Sequence, residues 1–188
     1  MTIKVKEDFV TTFISMDPGV NYVGISVIEA SKIFDVKEIA LVNNNRAFKA
    51  HEKELEKIHG SRTIKILNTI SKVEELVEKY NIKKLVIEAP FYSHLTPAAY
   101  GSLLEVIYAI KYKIAQPNEL EMHLVPPTVI KKLFSGKGNA SKAFMKDFLI
   151  TRLSKNDINM SYDVKDLSEH EIDSVAVGFT HWQENQER

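Results

Sequence analysis

Three carboxylates and one imidazole stand where an α/β protein gathers ligands. Asp17 ends the β-branched and aromatic run Thr11–Met16, and Glu88 ends the short apolar run Lys84–Glu88, so each lies at the carboxyl end of a predicted strand. His170 and Asp173 are three residues apart on a predicted helix and therefore share a face. Carboxylates brought together at one sheet edge repel and lose hydration unless a cation or a proton compensates. Three hard oxygen donors and one imidazole suit Mg²⁺ or Mn²⁺, and two such ions about 3.5–4 Å apart can clamp both oxygens of an in-line phosphoryl transfer. Each residue alone has a plainer reading. Asp17-Pro18-Gly19 is a turn, Glu88 is a strand end, and His170 with Asp173 could face water beside the helix dipole. It is the joint arrangement that points to chemistry.

A second constellation is basic. From Thr128 to Lys146 the chain carries Lys131, Lys132, Lys137, Lys142 and Lys146 and no acidic residue. Lys142 falls near a predicted helix start, where a cation opposes the helix dipole unless an anion is present. The Gly136-Lys137-Gly138-Asn139 loop feeding that helix offers backbone N–H groups to a phosphate, although its spacing is not that of a Walker A loop. A solvated lysine face is the alternative. Phe91 and Tyr92, in a loop between Pro90 and Pro97, either stack on unpaired bases or pack beneath the sheet.

The elements that must position these groups follow from periodicity. Three strands come first, Thr11–Met16, Tyr22–Glu29 and Val36–Val42, as a meander. Ile64, Leu67, Ile70, Val73, Val77 and Tyr80 then mark an amphipathic helix, and Lys84–Glu88 after it reads as a parallel strand. A helix over Pro97–Gln116, a fifth strand Glu121–Val125, and helices Thr128–Phe134 and Ser141–Leu153 follow. Lys155–Asp166 is polar and reads as irregular. Ser168, with Glu171 three residues on, forms a capping box for a last helix running to about Trp182, whose apolar stripe is Ile172, Val175, Ala176 and Phe179. The expected fold class is α/β with a mixed five-stranded sheet flanked by helices, and the expected organisation is one domain over residues 1–188.

Composition bounds the rest. The 188 residues are 44% hydrophobic and 27% charged, ordinary for a globular domain, and the absence of cysteine excludes disulfides, thiolate metal sites and a thiol nucleophile. Twenty-five basic residues balance 25 acidic ones, so nucleic-acid binding would rest on the local lysines. Met1–Asp8 is charged where a signal peptide would be apolar, and no stretch reaches the ~18 apolar residues of a membrane span. The expectation is a cytoplasmic protein, nucleoid-associated or in the cytoplasm of a virus-infected host, with no membrane partner.

Taken in order, these residues resemble the RuvC-type Holliday junction resolvases of the RNase H-like (retroviral integrase) superfamily. The resemblance lies in Met16-Asp17-Pro18-Gly19 with Gly24, Val86-Ile87-Glu88 with Phe91, Pro127-Thr128-x-x-Lys131, Gly136-x-Gly138-x-Ala140-x-Lys142, and His170-x-x-Asp173-Ser174-x-Ala176-Val177. It implies an RNase H-like fold and an endodeoxyribonuclease that resolves four-way junctions by symmetric paired nicking. It further implies Asp17, Glu88, His170 and Asp173 as metal-binding catalytic residues, with Lys142 acting beside them. Phe91, Tyr92, Lys131, Lys132 and Lys137 would contact DNA, a homodimer would place two sites on one junction, and two Mg²⁺ ions per site are implied, with Mn²⁺ an alternative because many members carry Asp at the His170 position. No residue pattern speaks to a helicase partner. Three other readings share parts of this pattern: a related nuclease acting on other branched DNA or RNA hybrids; a non-catalytic nucleic-acid-binding or processing relative that has kept the fold, against which the presence of all four candidate ligands argues; and the phosphate-binding hairpin of the sugar kinase–actin–Hsp70 superfamily, which also begins Asp-x-Gly but belongs to larger, two-lobed proteins.

Overall fold

Alternation along the strands decides which residues can meet. In β1 (Thr11–Asp17) Ile14 and Met16 point to one face of the sheet, while Phe13, Ser15 and Asp17 point to the other. Both faces are covered at the centre of the sheet, so Phe13–Met16, Val23–Ile28 and Leu85–Ile87 are buried at every position. The structure is a computed structural model and describes residues 10–92, 94, 97–138 and 140–186.

The sheet is mixed and has the order β5-β4-β1-β2-β3-β6. β1, β2 (Tyr22–Ala30) and β3 (Phe34–Asn43) form the antiparallel meander, and β4 (Lys84–Glu88) and β5 (Glu121–Val125) run parallel to β1. A sixth strand, β6 (Ile158–Met160), pairs in parallel with Phe34–Val36. It corrects the expected five strands and the reading of Lys155–Asp166 as irregular. With three residues and Ile158 alone fully buried, it is too short for a period-2 signal and takes its conformation from β3.

One face of the sheet carries α1 (Ala50–His59), α2 (Ser61–Tyr80) and α3 (Pro97–Ile110), the last continued by a π-helical turn over Lys111–Ala115. Ile14, Met16, Val23, Ile25, Leu85 and Ile87 meet Val73, Leu76, Ile110 and Ile114 there. α1 escaped sequence reading because its single buried residue is Glu52, whose carboxylate binds Arg46 and the Lys49 N–H instead of joining an apolar stripe.

The opposite face carries α4 (Pro127–Ser135), α5 (Lys142–Ser154) and α6 (Glu169–Gln186), packed through Phe13, Phe34, Phe134 and Phe179. Ser168 and Glu171 cap α6 reciprocally, as the sequence predicts. α6 is buried from Ser174 to His181 on every side, broader than the expected stripe, because it lies between the sheet and α4 and α5. It seats closely through small residues. A Cβ at Gly24 would lie 1.8 Å from the His170 carbonyl oxygen, and one at Gly178 2.7 Å from Ser15 Oγ. Between them Ser26 Oγ and Ser174 Oγ hydrogen-bond at 2.6 Å. Among the described residues no helix is long and apolar enough to cross a membrane.

Candidate metal centre at the sheet edge

Strand parity and register bring the acidic residues together. Asp17 continues the Phe13–Ser15 row and Glu88 follows Val86, so both carboxylates face α6. Met16 pairs with Ile87 across the parallel β1–β4 seam, which sets Asp17 and Glu88 side by side one residue further on. Asp17 also pairs with Gly24 on β2, and the bare Gly24 backbone lets the first turn of α6 descend with His170 and Asp173. Gly19 closes the turn after Asp17; a Cβ there would meet the Tyr22 carbonyl oxygen at 2.2 Å.

All four predicted ligands line one cleft of about 260 Å³, with Lys131 from α4 and Lys142 from α5 on its wall. His170 Nδ1 lies 2.6 Å from Asp17 Oδ2, and the Tyr22 ring stacks on the imidazole at 5.7 Å and 16°. Burial pushes the Glu88 carboxyl up to about 8, reinforced by Asp17 and Asp173 and opposed by Lys131 and His170. Burial, then Asp17, raises Asp173 to about 6 against Lys142, His170 and Lys131. The bond to Asp17 raises His170 above its ordinary value despite partial burial.

This is the signature of an acidic cluster whose charge is under-compensated. Among the described residues no three such side chains are already drawn round one point as a closed cage. The donor chemistry still fits a divalent cation: three carboxylates lining one cleft, two of them raised in pKa in part by their neighbours' charge, with an imidazole whose Nδ1 is engaged by a carboxylate and whose Nε2 is its other nitrogen.

The lysines divide. Lys131 and Lys142 act electrostatically on the cluster, although Lys142 Nζ is held by Glu169 Oε2 at 2.5 Å. Glu169 is thus the anion that the misplaced cation at the α5 N-terminus implied; its neighbour position to His170 gave no separate signal. Lys137 Nζ sits 4.9 Å above the Phe144 ring instead of in the cleft, and Lys132 is exposed on α4 outside it. Phe91 and Tyr92, 66% and 51% exposed, are not core residues; Tyr92 meets the edge of Tyr100 at 5.6 Å. Sequence reading missed Tyr22 and Glu169, since a single strand-initial tyrosine and a helix-initial glutamate are both commonplace.

The architecture matches solved structures along nearly its whole length. Thermus thermophilus RuvC in complex with a Holliday junction substrate superposes with a TM-score of 0.63 at 15% identity, over 91% of this chain and 92% of that one. The yeast mitochondrial Holliday junction resolvase gives 0.59 at 12% identity over 95% and 82%. Fowlpox virus resolvase, in complex with its substrate Holliday junction DNA, gives 0.58 at 15% over 93% and 99%. No protein-family model and no curated protein matches the sequence. The chain therefore has the RuvC-type, RNase H-like fold that its motifs led us to expect.

Proposed function

We propose that the protein is a metal-dependent endonuclease that resolves four-way DNA junctions by paired nicking. The observation that carries this reading is the meeting of Asp17, Glu88, His170 and Asp173 in one cleft between Lys131 and Lys142. An acidic cluster rimmed by cations suits metal-assisted phosphodiester hydrolysis. The fold shared with two resolvases solved on junction DNA supports the substrate class. Asp17, Glu88, Asp173 and His170 would hold Mg²⁺ or Mn²⁺, most simply two ions, which supply an activated water and charge stabilisation at the phosphate.

The chain's own groups do the rest. Lys131 offers a positive charge beside Glu88 and Asp173, where the scissile phosphate would be anchored. Lys142 joins it once Glu169 releases the ammonium, and it opposes charge developing on the phosphate oxygens. Lys132 and Lys137 would hold the flanking backbone, and Phe91 and Tyr92, exposed three and four residues beyond Glu88, would stack on bases unpaired at the crossover. The four-way junction is two-fold symmetric, so a homodimer with α3 at its interface would give paired cuts. Tyr108 on α3 and Tyr112 on the π-helical turn that continues it are exposed and stack on each other, whereas Ile107 is buried against α2 and the sheet.

The test compares a four-way junction with linear duplex of the same sequence, each with Mg²⁺ and with EDTA. Paired nicks in the junction with Mg²⁺ alone are expected. Equal cutting of the duplex, or cutting in EDTA, overturns the assignment.

A further inference from the structure

The hairpin between Asp17 and Tyr22 carries one residue of the cleft at its start and the ring that stacks on His170 at its end, so whatever holds it sets the relation between them. What holds it is Asn44, just after β3. Its backbone N–H donates to the Asn21 carbonyl at 2.8 Å, and its side-chain Nδ2 donates to the Val20 carbonyl at 3.0 Å. The same Nδ2 also donates to Thr69 Oγ1 at 3.2 Å, and Thr69 in turn donates to the Lys65 carbonyl of α2. Asn44 and Thr69 are each 1% exposed.

The side chain leaves one of its two polar atoms unused. Its Oδ1 is buried and finds no donor among the described residues. The orphaned oxygen costs free energy, whereas the amide nitrogen serves two acceptors, the Val20 carbonyl and Thr69 Oγ1. Between them, the side-chain amide and the backbone N–H of Asn44 reach the two carbonyls of the hairpin tip, Val20 and Asn21. The hairpin is thereby tied from behind to α2, on the side of the sheet away from the cleft.

We infer that Asn44 is a positioning residue for the metal centre, acting through the Val20–Asn21 backbone to fix the Tyr22 ring on His170 and the turn that follows Asp17. Without the Asn44 amide, the hairpin tip keeps its β1–β2 pairing and the backbone bond to Asn21 but loses its Val20 anchor, and the stacked imidazole gains rotational freedom. Imidazole orientation decides whether the ring nitrogen facing the cleft is presented productively, an outer-shell effect worth about 10–100-fold in metal affinity or rate.

This inference rests on the nuclease reading for its kinetic part alone. The experiment makes Asn44→Ser, which removes the Nδ2 donors, and Thr69→Val, which removes one acceptor, in the full chain. Ile158→Val on β6 serves as a control for loss of packing. The first readout is the His170 ring resonance in metal-free protein, which needs no activity. The second is the single-turnover rate on a junction, beside junction affinity measured in EDTA. Expected are a shifted and broadened His170 signal, a rate about 10–100-fold lower in Asn44→Ser and less reduced in Thr69→Val, and EDTA affinity within about twofold of wild type. Ile158→Val should move neither signal nor rate. An unmoved His170 resonance with a rate within twofold of wild type, in whichever of the two variants folds, overturns the inference. Failure of wild-type protein to cut junctions overturns the nuclease reading and leaves the His170 readout as the test of Asn44.

Discussion

The two faces of one sheet, built from alternate residues of the same strands, have different tasks. On the α2–α3 face, Ile14, Met16, Ile25 and Ile87 pack against aliphatic side chains. On the α6 face, the interleaved residues Ser15, Asp17, Gly24, Ser26 and Glu88 are small, polar or acidic. The first face holds the chain together through area, and its residues can be exchanged for others of equal volume. The second places charge at defined positions against repulsion and desolvation, so its side-chain identities count individually.

Removing charge should separate the two faces most sharply. Asp17→Asn and Glu88→Gln should lower junction cleavage by more than about a hundredfold, beyond the loss of an outer-shell partner, with binding in EDTA kept or improved. Leu76→Ala on the other face should cost about 2–5 kcal/mol of stability and leave the cleavage rate of the folded protein unchanged. Denaturant melts and single-turnover kinetics read both. A glycine pair extends the comparison. Gly24→Ala drives a methyl into the His170 backbone, costing about 1–3 kcal/mol and displacing His170 and Asp173. Gly101→Ala, exposed on α3 with nothing within 4 Å, should stabilise by about 0.5–1 kcal/mol.

Proton linkage gives a smaller, signed effect. Glu88 and Asp173 both titrate above their unfolded values of 4.5 and 3.8. The folded, metal-free chain thus holds its protons more tightly than the unfolded one. The stability this confers is fully present below about pH 4 and is lost as pH rises towards about 8, and His170, also raised, has the same sign. Thermal melts in EDTA should therefore show a lower Tm at pH 8 than at pH 5, with a smaller gap in Glu88→Gln. Mg²⁺ should raise Tm more at pH 8 than at pH 5. The mildest expected change is Tyr108→Glu: on the proposed dimer, it should give a folded monomer by light scattering, with Tm only slightly lowered. Ile107→Glu, buried beside it, should unfold the chain instead.

Much of this organisation was legible in the residues. Asp17, Glu88, His170 and Asp173 could be picked out because strand ends and a capping box mark positions in space, and register does the rest. The five longer strands and the helices with apolar stripes were legible for the same reason. α1 and β6 were not, since one is held by a buried ion pair and the other by pairing to β3. Tyr22, Glu169 and Asn44 were invisible because each matters through a partner far away in sequence: His170, Lys142 and the Val20–Asn21 carbonyls. Phe91 and Tyr92 remained divided between stacking and core packing until their exposure removed the second option.

The seating of α6 has a mechanical consequence. The helix rests on the sheet at two bare points, Gly24 beneath His170 and Gly178 against Ser15, eight residues or about 12 Å apart along its axis. A stiff rod on two supports pivots about one when the other is lifted. A lift of about 1 Å at the Gly178 end tilts the rod by roughly 5°, leaves His170 almost in place and moves Asp173 by only about 0.4 Å. The same lift at Gly24 is delivered in full to His170. The end that carries His170 and Asp173 is therefore insulated from crowding around Trp182 and the carboxyl-terminal turns, and exposed to any disturbance of the hairpin beneath it.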